Sequence, residues 1–429
     1  MSKITNKTFH IVVIGCQMNK SDSERISGYM ELLGFKKTSR EKAGFVFITT
    51  CGVRQSAEDR IYGLVPNIKK ENPKVKIILT GCLSERDDVK KRLKGKVDMW
   101  MPIADLPDLA RKIGVRQKES GYKNYLNVLP KYSSKFTAFV PIGNGCDNFC
   151  TYCVVPYARG REVYRAADEI VEEVKGLVEK GFREVNLIAQ NVNSYVSGDD
   201  KKINFSKLLE MINRIEGDFW IRFATSHPKD MSDELIKVIA KNEKMCKHVH
   251  LPVQSGDDEI LRRMNRKYTS VHYLGLIEKI RKNIPGVSIT TDTIVGFPGE
   301  TKAQFNNTAK LYKKVKYDMA YIAQFSPRFG TAAASLKDDV SKIEKKRREG
   351  ELMEILRKTA LENNKKYIGK EVQVLIWGKN KKGELSGYTG TNKMVKLKIK
   401  NQKLKIGEGG FVKVKITEVE DFGLRGEIL

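Results

Sequence analysis

Along the first 120 residues the apolar positions switch between two periods. His10–Ile14, Gly44–Thr49 and Val75–Thr80 are short runs rich in β-branched residues, the pattern of buried parallel strands. Between the first two, residues 21–35 place Ile26, Tyr29, Met30 and Leu33 on one face. That spacing predicts an amphipathic helix capped by Ser21 or Ser23 and stopped at Gly34. Repeated units of this kind predict an open parallel α/β domain over residues 7–120, with helices on both faces of the sheet.

Residues 132–362 repeat the alternation. Strands are predicted at Phe136–Ile142, Glu184–Ala189, Trp220–Thr225, His248–Val253, Val287–Val295 and Tyr317–Phe325. Helices are predicted between them at Ala167–Lys180, Phe205–Ile215, Asp233–Ala240, Ser270–Asn283 and Lys302–Val315. Six such units suit a partial (β/α)6 barrel, open on one side to admit a large substrate. A charged helix, Lys342–Lys366, turns Leu352, Ile355, Leu356 and Leu361 inward and closes this stretch. From 366 to 429 the pattern shortens. Val372–Trp377, Met394–Ile399, Gly410–Val419 and Leu424–Ile428 are β-rich runs broken by glycines, as in a small antiparallel barrel. The fold class is therefore α/β with three domains, 7–120, 132–362 and 366–429.

Length agrees, since 429 residues exceed one ordinary core. Charge adds a partner. The chain carries 79 Lys and Arg against 52 Asp and Glu, a net +27, which reads as a polyanion-binding surface or as solvated lysine without a partner. From Tyr367 onward thirteen basic residues face seven acids, and small basic barrels commonly bind RNA. No apolar run suits a membrane span or a signal-peptide core, so a cytoplasmic protein without a membrane partner is expected. There the seven cysteines would stay reduced and available to metal.

Their placement carries the chemistry. Cys146, Cys150 and Cys153 form a C-x3-C-x2-C run just after the first barrel strand. Three thiolates this close can hold three irons of a cubane and leave the fourth iron open; the alternative is a structural zinc site with a ligand from elsewhere. Cys16, Cys51 and Cys82 each follow one of the three early strands. Ligands gather at the carboxyl ends of parallel strands, so a second trio is predicted to converge in space. Taken singly, each would be an ordinary small buried residue. Past the barrel strands lie Gln190, Asn191, Asn193, Ser226 and His227, then Gln254, Ser255, Gly296, Ser326 and Arg328. His227, followed by proline, reads as a hydrogen-bonded loop residue and Cys246 as structural.

The string GCDNFCTYCVVPYARGREVYR (145–165) is similar to the cluster loop of the radical S-adenosylmethionine (SAM) methylthiotransferases. Further matches are RFATSHP (222–228), HLPVQSGDDEILRRMNRKYT (250–269), TDTIVGFPGET (291–301) and FSPRFGTAA (325–333). GCQMNKSDSERI (15–26) resembles the type that modifies N6-isopentenyladenosine beside the anticodon of tRNA. The resemblance implies an N-terminal methylthiotransferase domain, a radical SAM core and a C-terminal TRAM domain. It implies two 4Fe-4S clusters, on Cys16, Cys51 and Cys82 and on Cys146, Cys150 and Cys153, with SAM as the other cofactor. One cluster would cleave SAM reductively to a 5′-deoxyadenosyl radical; the other would carry sulfur, to be methylated by a second SAM and transferred to carbon 2 of the adenine. Partners implied are a tRNA anticodon stem-loop, an external one-electron reductant and a sulfur donor. Tyr152 is placed near the SAM adenine or as a shield of the cluster, and Gln254, Gly296 and Arg328 near SAM or substrate. Arg159, Arg161 and Arg165 would meet phosphate or offset cluster charge. Alternatives are the same chemistry on threonylcarbamoyl-adenosine or on a ribosomal-protein aspartate, and, in another class, a non-catalytic iron–sulfur RNA sensor.

Overall fold

Three early strands, β1 (Thr8–Val13), β2 (Phe45–Thr50) and β3 (Lys76–Gly81), run parallel with β2 in the middle. The structure, a computed structural model, describes residues 6–115, 122, 124–380, 382–398 and 407–429. The domain end at residue 120, the strand end Ile399 and the basic positions Lys381, Lys400, Lys403 and Lys405 lie outside it. Short edge pairings at Lys36–Lys37 and Met99–Trp100 extend the sheet to either side. Period-2 alternation divides its side chains between two cores. Phe9, Phe45, Phe47 and Ile78 pack under helix α1 (Gln17–Leu32), while Val46, Ile48, Ile77 and Leu79 pack under α2 (Gln55–Glu71).

Helix α1 begins earlier than the sequence pattern predicts. Its cap is Cys16, whose amide and thiol both reach Asn19 Oδ1 at 3.3 Å. Ser21 and Ser23 are buried mid-helix, donating to the carbonyls of Phe139 (3.4 Å) and Lys20 (2.6 Å). Gly15, with φ +149°, turns the chain straight from strand to helix, so no loop remains for a serine cap. The expected face, Ile26, Tyr29, Met30 and Leu33, is buried.

Six further strands follow: β4 (Thr137–Pro141), β5 (Glu184–Ile188), β6 (Trp220–Phe223), β7 (His248–His250), β8 (Ser288–Val295) and β9 (Met319–Gln324). They form two parallel three-stranded sheets in sequence order, joined by a parallel bridge from Ile221 to Met245. No ladder links β4 to β9 among the described residues, which leaves a barrel open on one side. Helices Ala167–Glu179, Phe205–Asn213, Asp233–Lys241, Ser270–Asn283 and Lys302–Val315 cover the outside. Alternate strand residues such as Val140, Leu187, Ile221 and Val249 pack under them.

The inward row is different. It carries Thr137, Glu184, Asn186 and Arg222 on the first three strands, then His248, His250, Thr290 and Asp292. A closed barrel fills this volume with branched apolar side chains; here polar groups share it with Phe139 and Ile188.

The C-terminal domain is the expected small barrel, antiparallel in every pairing but one. Strands β10 (Glu371–Lys379), β11 (Leu385–Thr389), β12 (Met394–Lys398), β13 (Phe411–Glu420) and β14 (Gly423–Ile428) close in the order β10-β11-β12-β14-β13, with β12 and β14 parallel. A ring of five strands cannot alternate direction all the way round, so one pair must be parallel. Strand β11, LSGYT, escaped the sequence pattern because it lacks an apolar run. Its Gly387 is required, since a Cβ there would lie 2.2 Å from the Leu375 carbonyl oxygen.

This small barrel packs against the amino ends of the six barrel strands. Trp220 meets Phe411 and Phe136 meets Trp377, at ring separations of 4.8 and 5.9 Å. Arg222 donates to the Thr389 carbonyl at 2.8 Å and Lys393 pairs with Asp318 at 2.6 Å. Cys246 is buried in the same contact, with burial pushing its thiol up to about 12. Helix α3 (Lys342–Lys365) runs the length of the barrel. It buries Leu352 and Leu356, half-buries Ile355 and Leu361, and ends on the Glu420 and Asp421 carbonyls through Asn364. Among the described residues no helix is long and apolar enough to cross a membrane.

Candidate metal and cofactor site

The parallel register of the early strands dictates where three of the cysteines fall. Thr50 lies opposite Gly81 and Val13 opposite Thr49, so Cys51 and Cys82 leave adjacent strand ends together, with Cys16 one turn beyond β1. Four glycines next to cysteines make the approach possible. A Cβ on Gly15 would lie 2.9 Å from Cys51 Cβ, and one on Gly81 (φ +87°) 2.5 Å from the Thr50 carbonyl oxygen. On Gly52 it would stand 3.3 Å from Cys82 Cβ and 3.1 Å from Val154 Cγ1, beside Cys153. At Gly145 (φ +86°) it would stand 2.1 Å from the Arg161 carbonyl oxygen. The two trios therefore approach one another through Gly52 and Val154.

All six thiols are free, and Cys51 and Cys82 are buried. Crowding by surrounding protein pushes the Cys51 thiol up, and that of Cys16 although it keeps exposed surface, and the neighbouring Cys82 pushes both further. Burial, then Cys150 and Cys146, do the same to Cys153, which also feels Cys82. Such thiols become thiolates only beside a cation that compensates them. Among the described residues no three His, Cys, Asp or Glu side chains close into a single-ion site. Each trio is an all-thiol donor set without a fourth protein ligand among the described residues, the chemistry that suits an iron–sulfur cluster.

Hydrogen-bond donors line the sulfurs. The Val53 amide donates to Cys51 Sγ at 3.4 Å and Asn148 Nδ2 to Cys146 Sγ at 3.5 Å. Arg266 Nη1 stands 3.6 Å from Cys150 Sγ, held by Nη2 on the Pro252 carbonyl (2.7 Å) and Nε on the Tyr268 hydroxyl (2.8 Å). Asn19 joins the early trio by bonding Cys16 and donating to the Thr50 carbonyl at 3.0 Å. The sequence reading gave Asn19 and Arg266 no role. Their signal was present, Asn19 in the turn after Cys16 and Arg266 in a string already matched, but no spacing rule links them to sulfur.

The remaining candidates do not gather at one place. Tyr152 is half-buried against Ile260, Met264, Phe297 and Phe325, beside Cys150, Cys153 and Arg266. Gln254, in the segment past β7, holds a left-handed φ of +67° and bridges to Thr293. Gly296 (φ +69°) donates its amide to Glu300 at 2.7 Å and leaves no room for a Cβ, which would meet Lys345 Cγ at 2.4 Å. Arg328 turns to the N-terminal domain, where Nη1 bonds Gln55 Oε1 at 2.6 Å. Arg159 and Arg165 are unavailable to phosphate: both are buried, paired at 2.6 Å with Asp22 and Glu173. Arg161 is exposed and pairs with Asp147 at 2.7 Å. His227 is a loop anchor as expected. Its Nδ1 accepts from the Lys229 amide, and burial lowers its pKa to about 2.

The N-terminal domain spans the open side of the barrel. On the β4 side Met18 packs with Phe139 and Ile188, and Arg159 joins Asp22. On the β9 side Arg328 joins α2.

Comparisons with known proteins agree with this layout. Residues 140–312 match the radical SAM superfamily, residues 8–102 an uncharacterized protein family, UPF0004, and residues 365–429 the TRAM domain. The tRNA-2-methylthio-N(6)-dimethylallyladenosine synthase of Clostridium novyi is 42% identical, covering 99% of this chain and 97% of the relative. That of Carboxydothermus hydrogenoformans is 41% identical, covering 99% and 100%. Among solved structures, the radical SAM methyltransferase TsrM from Kitasatospora setae superposes with a TM-score of 0.56 over 77% of each chain at 14% identity. The cobalamin-dependent radical enzyme OxsB does so at 0.51, 12% identity, over 83% of this chain and 57% of that one; both show the shared fold. The chain belongs to the radical SAM superfamily and, within it, to the tRNA-2-methylthio-N(6)-dimethylallyladenosine synthase family.

Proposed function

We propose that this protein is a tRNA methylthiotransferase that installs sulfur and methyl at carbon 2 of N6-isopentenyladenosine beside the anticodon. The observation that supports it most is the approach of two cysteine trios across Gly52 and Val154. In this reading Cys16, Cys51 and Cys82 (domain 7–120) hold an auxiliary 4Fe-4S cluster. Cys146, Cys150 and Cys153 (domain 132–362) hold the one that engages SAM, and the TRAM domain, 366–429, contacts the RNA. When bound, these groups supply reductive SAM cleavage and a transferable sulfur, chemistry no side-chain base can perform on an aromatic C–H. The chain's own residues orient them. Arg266 and Asn148 steady the second trio, Asn19 the first, and Tyr152 shields the loop on its apolar side. An external one-electron reductant and a sulfur donor complete the set of partners, in the cytoplasm. The full-length relatives at 40–43% identity carry the isopentenyl-type name, which favours that nucleoside over threonylcarbamoyl-adenosine or a protein aspartate.

The test is an anaerobic preparation and its variants. About eight irons per chain are expected from two cubanes. Cys150→Ala should abolish 5′-deoxyadenosine release, whereas Cys51→Ala should keep some release and lose methylthiolated product. Full product from Cys51→Ala, or iron for a single cubane, would remove the two-cluster reading.

A further inference from the structure

Away from Phe139 and Ile188, which pack with Met18, the inward face of the partial barrel is lined by polar and aromatic groups. On β7, Val249 points to the helices, so His248 and His250 point in. On β8, Thr293 meets Tyr312 of the outer layer, so Thr290 and Asp292 point in. On β9, Ala320 joins the outer core, so Tyr321 points in, yet it is 54% exposed. These side chains form one chain of contacts. His248 Nε2 and His250 Nδ1 both bond Thr290 Oγ1 at 2.9 Å. His250 Nε2 stands 3.5 Å from Asp292 Oδ2, and its ring meets that of Tyr321 edge-on at 6.1 Å. Deeper in, Arg222 is buried with Nη1 unpartnered among the described residues.

An aromatic ring left wet inside a barrel, beside a carboxylate and a histidine ring, is a poor core but a good seat for a flat heterocycle. Stacking on the ring recovers the missing burial, and the carboxylate accepts from an exocyclic N–H. Arg54, three residues past Cys51, is close enough to lower the Tyr321 hydroxyl against the upward push of burial and Asp292. The loop after Cys51 therefore reaches toward the seat.

We propose that Tyr321, Asp292 and His250 form the seat of the target adenine. Tyr321 stacks on the base, Asp292 accepts the single hydrogen left on the alkylated N6 amine, and His250 fixes the carboxylate. Held there, the base keeps its carbon 2 edge free of the recognising contact. This rests on the tRNA reading above and adds the residues that select the base. The same chemistry could be offered by the adenine of SAM, so the two sources must be separated.

The experiment uses the full chain with reconstituted clusters, as parent, Tyr321→Leu, Tyr321→Phe and Asp292→Ala. Two probes are titrated: an anticodon stem-loop RNA carrying N6-isopentenyladenosine, and SAM alone. Tyr321→Leu and Asp292→Ala should each weaken RNA binding or raise its KM about tenfold or more, with SAM affinity unchanged. Tyr321→Phe, which keeps the ring, should stay within about threefold of the parent. RNA affinity and KM unaltered in both variants, or a loss confined to SAM, overturns the seat. A parent enzyme that leaves the RNA unbound overturns the tRNA reading and the seat with it.

Discussion

At the scale of single residues, the structure adds groups whose partner is a sulfur atom. Potentials of iron–sulfur centres respond to hydrogen bonds and charge at the sulfurs, and Arg266 brings both to Cys150 from a buried position held by two further bonds. Arg266→Gln should therefore move the midpoint of the SAM-side centre to more negative potential, read by titration followed with electron paramagnetic resonance. Arg266→Lys, which keeps the charge but not the fork, should fall between the two. An unchanged midpoint in the Gln variant would show that this contact is only structural. The grouping of six cysteines into two trios was legible from spacing and strand position. Arg266 was not, because it stands 116 residues from Cys150 in sequence and only the folded loop brings them together. The Arg159 bond to Asp22 was hidden for the same reason, whereas its offset of charge at the early trio, felt at Cys16, was among the roles read for it.

At the scale of elements, strand polarity did most of the predictive work. Six barrel strands and the helices between them were readable from period and length, and the early cysteines from their place after parallel strands. Cap chemistry was misread at α1 because Cys16 and Asn19 do the work usually given to serine. That helix is buried on nearly all sides, and its polar residues need partners. Asp22 finds Arg159 at 2.6 Å with both side chains 2% exposed. Arg25 meets the Val128 carbonyl and Glu173, and Glu24 the Ser133 hydroxyl. Arg159→Met should strip Asp22 of its partner and cost about 3–5 kcal/mol in urea unfolding. The double variant with Asp22→Leu should recover part of that loss. Equal stability of the single variant and the parent would mean the pair does not join α1 to the cluster loop.

At the scale of the whole molecule, charge and position must be considered together. The sequence marked the C-terminal barrel as basic, but nothing in it says which end of the larger barrel it occupies, since that follows from Phe136, Trp220, Trp377 and Phe411 meeting across the interface. Several of its lysines are spent on partners within the fold, Lys393 on Asp318 and Lys396 on Glu420. Lys413 and Lys415 remain exposed on β13. Replacing both by alanine should weaken RNA binding and flatten the dependence of log affinity on log salt by about 0.7–0.9 per lysine that meets a phosphate. A slope equal to the parent's would place the RNA path elsewhere.

The seating of that small barrel has a consequence for traffic. It stoppers the amino end of the strands, while the N-terminal domain bars the gap between the first and last of them. Among the described residues both of those sides carry a domain, and the end where the thiols lie carries none. A nucleobase that enters and leaves by that end passes both trios, and a finished base that lingers there blocks the next one. Emptying the chamber then becomes a step that can set the pace of turnover.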